Sequence, residues 1–95
     1  MLVVLLGALS VASSGGAQER KIGSEEFRDK GCAHCHAIGG VGGSKGPALD
    51  AVGRRLKVAA IRRQILQGGL TMPAFGEVLS KDEVDALVKY LHRCR

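Results

Sequence analysis

From Lys81 onward the apolar residues return at helical spacing: Val84, Leu87, Val88 and Leu91 stand at i, i+3, i+4 and i+7 among charged neighbours. That stripe predicts an amphipathic helix over about 81–93, and Ser80 with Glu83 three residues later matches a capping box at its start. Upstream, Val58, Ile61, Ile65 and Leu66 follow the i, i+3, i+7, i+8 pattern and stop at Gly68-Gly69, which predicts a middle helix over about 57–67. Nearer the start, Ser24-Glu25-Glu26 offers a cap and an acidic first turn, Phe27 an apolar contact and Gly31 a stop. A first helix is expected over about 22–30. The stretch AIGGVGGSKGP, 37–47, has five glycines and reads as loop. No segment alternates apolar and polar residues long enough to predict a strand, and no internal repeat is present. The expected fold class is all-α, with long loops on both sides of the middle helix.

Residues 1–17 carry no charged side chain, are apolar over 2–9, and turn small-residue-rich before Ala17. This is the shape of a secretory signal, with Gly15-Gly16-Ala17 as a cleavage site and Ser10-Val11-Ala12 as a second possibility. It departs from the usual signal in having no Lys or Arg ahead of the apolar run. The run is far short of the ~20 residues that span a bilayer, so export to the periplasm is expected rather than a transmembrane anchor. The expected division is a signal at 1–17 and a single domain at 18–95. That domain is small for a core made of side chains alone. Its aromatic residues are only Phe27, Phe75 and Tyr90, and a buried cofactor would supply the missing volume.

The stretch CAHCH places Cys32 and Cys35 at i and i+3, with His36 next. Two thiols so spaced can meet adjacent vinyl groups on one porphyrin edge while the following imidazole turns to the iron, so the pattern is a c-type haem attachment signal. Two other readings compete. Zinc would need a fourth ligand from far along the chain, His92 or Cys94, and a redox dithiol would need a βαβ context. If His36 takes one axial position of a haem iron, the candidate for the other is Met72, in LTMPAFGEV, the sole methionine apart from Met1. A lone methionine is more often a packing residue, but downstream of such a motif a thioether ligand is the better reading. His34, inside the attachment loop, and His92, near the end of a charged helix, read as surface residues.

Taken together, GSEEF, CAHCH, GPAL, MPAF and VDALVKYLHR, in this order over about 23–93, resemble a class I cytochrome c of the short bacterial monohaem kind. The resemblance implies three to five helices wrapped around one haem c, held covalently through Cys32 and Cys35, with His36 and Met72 as axial metal ligands. It further implies that the Pro47 carbonyl receives the Nδ1 hydrogen of His36, and that Gly23 lets the first helix cross the last near Tyr90, with Phe27 packing there. Such a protein is not itself an enzyme but a periplasmic one-electron carrier between respiratory or dehydrogenase complexes. The alternative is an electron-transfer subunit of a periplasmic oxidoreductase.

The chain has a formal net charge of +5, and Lys45, Arg54, Arg55, Lys57, Arg62 and Arg63 cluster with only Asp50 among them. Redox partners with acidic docking surfaces are therefore expected. Nucleic acid is not, because interleaved aromatics and a binding motif are missing. Cys94 is an odd cysteine; it is expected to be a free thiol near the end of a monomer.

Overall fold

The computed structural model describes residues 14–95. Helix α1 runs Ser14–Asp29, a 3-10 turn Cys32–His34, β1 Ala37–Ile38, β2 Val41–Gly42, α2 Val52–Arg55, α3 Val58–Gln67 and α4 Lys81–His92. The core consists of Phe27, Val52, Ile61, Ile65, Leu79, Val84, Leu87, Val88 and Leu91. Every residue of the α4 stripe is therefore inside, and Leu87 is fully shielded at 0% exposure. At about 1.5–3 kcal/mol for each fully buried large aliphatic side chain, this stripe contributes a large share of the fold's cohesion. Its helix starts as expected: Ser80 Oγ accepts from the Glu83 N–H, while Glu83 Oε1 accepts from the Ser80 N–H at 2.8 Å.

α1 and α4 run antiparallel. Glu19 pairs with Lys89 and Arg93 at one end, and Lys30 pairs with Glu83 at 3.3 Å at the other. Between these ends the helices cross at Gly23, where an added Cβ would collide with Tyr90 Cβ and lie 2.7 Å from the Ala86 carbonyl oxygen. The Phe27 and Tyr90 rings meet beside the crossing, centroids 6.1 Å apart and tilted by 57°.

Four expectations are corrected. The first helix is already formed at Ser14, ahead of the expected start at 22, because its packing face before Phe27 is Glu19 and Gly23. An ion pair and a glycine contact hold that turn, and neither gives an apolar period. Ser24 consequently lies inside the helix, not at its cap. The glycine loop contains a two-residue antiparallel pairing, with Ala37 opposite Gly42 and Ile38 opposite Val41. Gly39 and Gly40 have φ of 62° and 80°, the positive values that a two-residue hairpin turn requires. Finally, α2 interrupts the expected loop before α3. Most of the leading segment 1–17 lies outside the described residues, and its last four residues belong to the first turns of α1.

Candidate functional site

The turn after α1 assembles the motif residues. The Cys35 and His36 N–H groups both donate to the Cys32 carbonyl, at 3.2 and 3.0 Å, so the two thiols and the imidazole are carried on one tight turn. Gly43 N–H binds Ala33 O at 2.9 Å, Gly46 N–H binds Cys35 O at 2.7 Å and Leu49 N–H binds Ala37 O at 2.9 Å. These three backbone bonds fold segment 43–49 against the turn and bring Pro47 to His36. The His36 Nδ1 lies 2.7 Å from the Pro47 carbonyl oxygen. A carbonyl can only accept, so Nδ1 carries the hydrogen, and Nε2 keeps its lone pair for a metal. Gly46 is pressed against this ring: an added Cβ would stand 2.5 Å from His36 Cε1.

Met72 comes from the other loop. α3 ends at Gly68, whose φ of 71° turns the chain. A Cβ there would also lie 2.5 Å from the Met72 carbonyl oxygen. The Gly69 N–H donates to that oxygen at 2.9 Å, and the Phe75 N–H returns to Ile65 O at 2.9 Å, which closes the loop onto α3. Gln64, which the sequence reading did not single out, donates its side-chain amide to Gly68 O at 3.1 Å and to Met72 Sδ at 3.6 Å. A thioether sulfur has two lone pairs. Gln64 occupies one and leaves the other for a soft or borderline metal.

The surroundings suit a large apolar ring better than a hydrated ion. Cys32, Ala33, Ile38, Leu49, Leu66, Met72 and Phe75 are half-buried, each packed against the core on one side. Val41, Leu70 and Val78, on the hairpin and the Met72 loop, are 76%, 106% and 69% exposed. Among the described residues no three His, Cys, Asp or Glu side chains gather as a metal site, which removes the zinc reading. His92 and Cys94 lie with the last turn of α4, where Cys94 Sγ reaches Tyr90 O at 3.5 Å. Burial pushes the Cys32 thiol up, and Glu26 adds to the shift. Cys32, Cys35 and Cys94 are all free thiols. The donor set and its apolar rim fit a haem joined through Cys32 and Cys35.

No helix among the described residues is long and apolar enough to cross a membrane. The basic residues Arg54, Arg55 and Lys57, expected to steer partners, stand beside the last turn of α4: the Gly53 N–H donates to Cys94 O at 2.7 Å, and Arg54 donates to Arg95 O.

Three similarities agree with this arrangement. A model of the family described as cytochrome c oxidase, cbb3-type, subunit III matches residues 18–91. Cytochrome c oxidase subunit 2 of Alkalihalophilus pseudofirmus is 32% identical over 82 residues, covering 73% of this chain but only 24% of that protein. The crystal structure of the c-type cytochrome SorU from Sinorhizobium meliloti superposes with a TM-score of 0.66 at 27% identity, covering 80% of this chain and 90% of that one. The chain therefore belongs to the c-type cytochromes, in the family described as cytochrome c oxidase, cbb3-type, subunit III, and is an electron-transfer protein of the class I cytochrome c fold.

Proposed function

We propose that the protein is a periplasmic one-electron carrier holding a single haem c. The observation that carries this reading is the contact between His36 Nδ1 and the Pro47 carbonyl at 2.7 Å, on the same turn as both thiols. Bound there, the haem supplies an Fe(II)/Fe(III) couple. Cys32 and Cys35 would hold it as thioethers, and His36 through Nε2 and Met72, steadied by Gln64, through its sulfur would be the iron's ligands. Held by both His36 and Met72, the iron would have no position left for a substrate, and its chemistry would be outer-sphere electron transfer. A thioether opposite an imidazole favours the reduced iron and raises the potential relative to two nitrogen ligands. The signal-like segment 1–17 supports export, and the partners are redox proteins that approach the ligand-bearing loops.

A second reading makes the chain the electron-transfer subunit of a periplasmic oxidoreductase complex. It is favoured by the relative named cytochrome c oxidase subunit 2, of whose length this chain spans 24%. Production in a host with haem-attachment machinery tests both readings at their common root. The product is expected to be red, and its mass after denaturation to exceed that of the chain by one haem. Cys32→Ala with Cys35→Ala should abolish the added mass. A colourless product would overturn the proposal.

A further inference from the structure

Glu26 stands in the last turn of α1, three residues after Gly23 and so on the helix face that meets α4. Its Oε2 is shielded from solvent and has no hydrogen-bond partner, the one side-chain polar atom left this way among the described residues. The nearest cation along the helix is Lys30, one turn on, and Lys30 gives its ammonium to Glu83 of α4 at 3.3 Å. Glu26 itself enters no ion pair among the described residues. A carboxylate in this place is unfavourable on two counts. A buried acceptor without a donor loses its hydration for nothing in return, and the C-terminal end of a helix is the negative end of its dipole, which repels an anion. Packing gives no reason for an acid here, since an apolar side chain of similar length would avoid both penalties.

What this charge reaches is the turn that follows α1. Burial pushes the Cys32 thiol up and the Glu26 charge pushes it further, so the carboxylate lies within electrostatic range of that sulfur. We propose that Glu26 sets the redox balance of the haem: standing beside the Cys32 edge with no counter-ion, it favours Fe(III) and holds the reduction potential below the value that the ligands alone would give. This rests on the carrier reading above. A ferric haem carries one positive charge more than a ferrous one, so a neighbouring anion stabilises the oxidised state. With a shielded oxygen, that attraction is weakly screened by water and salt. Asp29 and Glu83 supply the contrast. Asp29 is closer to Cys32 along the chain but exposed, so solvent dilutes its field, and the charge of Glu83 is matched by Lys30. An orphaned buried polar group calls for an explanation such as a redox role, and at this turn the absence of a partner is what lets the charge act on the iron.

The test is a redox titration of the haem-loaded protein at neutral pH, in low and in high salt, followed at the visible haem bands. Glu26→Gln is expected to raise the reduction potential in both conditions. Its shift should be at least about twice that of Asp29→Asn, an equal change in net charge, and the smaller shift should fade as salt is raised. Glu26→Leu should raise the potential as Glu26→Gln does, and should also move the denaturant midpoint upward, because the orphaned acceptor is gone. A potential unmoved by both Glu26 variants, with a lowered midpoint for Glu26→Leu, would make Glu26 a packing residue and overturn the proposal. Equal shifts from Glu26→Gln and Asp29→Asn at both salt concentrations would reduce the effect to net charge and overturn it as well. Failure to take up haem would overturn the carrier reading and this proposal together, whereas haem uptake with an unmoved potential overturns this proposal alone.

Discussion

At the α1–α4 crossing, Gly23 rests against Tyr90 and Ala86, Phe27 fills the space beside them, and Leu87 and Val88 are sealed beneath at 0% and 1% exposure. In the loops that carry the motif residues, Cys32, Ile38, Leu49, Met72 and Phe75 each pack against the core on one side only, and backbone bonds set the path. The crossing is complete as a polypeptide, whereas the loops are shaped to receive another apolar body. The contrast teaches that helix packing supplies the scaffold, while backbone bonds and one-sided packing hold the loops that, on the proposed reading, would carry the haem.

The strongest way to break this contrast is at the crossing. Leu87→Ala, at the most buried position, should cost about 2–5 kcal/mol, seen as a lower denaturant midpoint for haem-loaded protein. A smaller and more local effect is expected at the loop. Gly68→Ala places a methyl group at φ 71° and against the Met72 carbonyl. It should cost about 1–3 kcal/mol, keep the helical circular dichroism, and loosen Met72, so that the reduced protein acquires carbon monoxide binding. Equal loss of helix in the two variants would erase the distinction drawn here.

The smallest effect concerns acid. Arg93 and Lys89 hold the Glu19 carboxyl below its usual range, the Ser80 N–H and Lys30 do so for Glu83, and Arg62 and Lys81 for Asp85. A group whose folded pKa is depressed stabilises the fold fully above its unfolded pKa, and loses that contribution as pH falls through the folded value. These pairs are solvent-exposed, so each contributes little. A melting temperature that is flat through neutral pH should decline only below the ordinary carboxylate range. Glu19→Gln should shrink the decline, whereas a change confined to the site loops should leave it.

How much of this was legible in the chain varied with the physics at each element. The α4 stripe and its Ser80–Glu83 box were readable because burial and capping are local and periodic. The start of α1 was not, since an ion pair at Glu19 and a close approach at Gly23 hold it. The hairpin had an available signal, two glycines between Ile38 and Val41, outweighed by the glycine content around it. α2 is one turn, VGRR, too short for any period to register. At the site, Cys32, Cys35 and His36 declared themselves by spacing. Pro47 could be placed only by family resemblance, because backbone bonds between segments 33–37 and 43–49 bring it to His36. Gln64 gave no signal: one of two exposed amides on α3, it acquires meaning only when the loop after Gly68 folds back to Met72.

The most direct test of the central claim, that one haem iron is closed on both faces by His36 and Met72, is the visible spectrum of the reduced protein before and after carbon monoxide is added at neutral pH. The account predicts no change for the unmodified protein and a carbon monoxide adduct for Met72→Ala. Immediate adduct formation by the unmodified protein would show an open iron position and contradict the account.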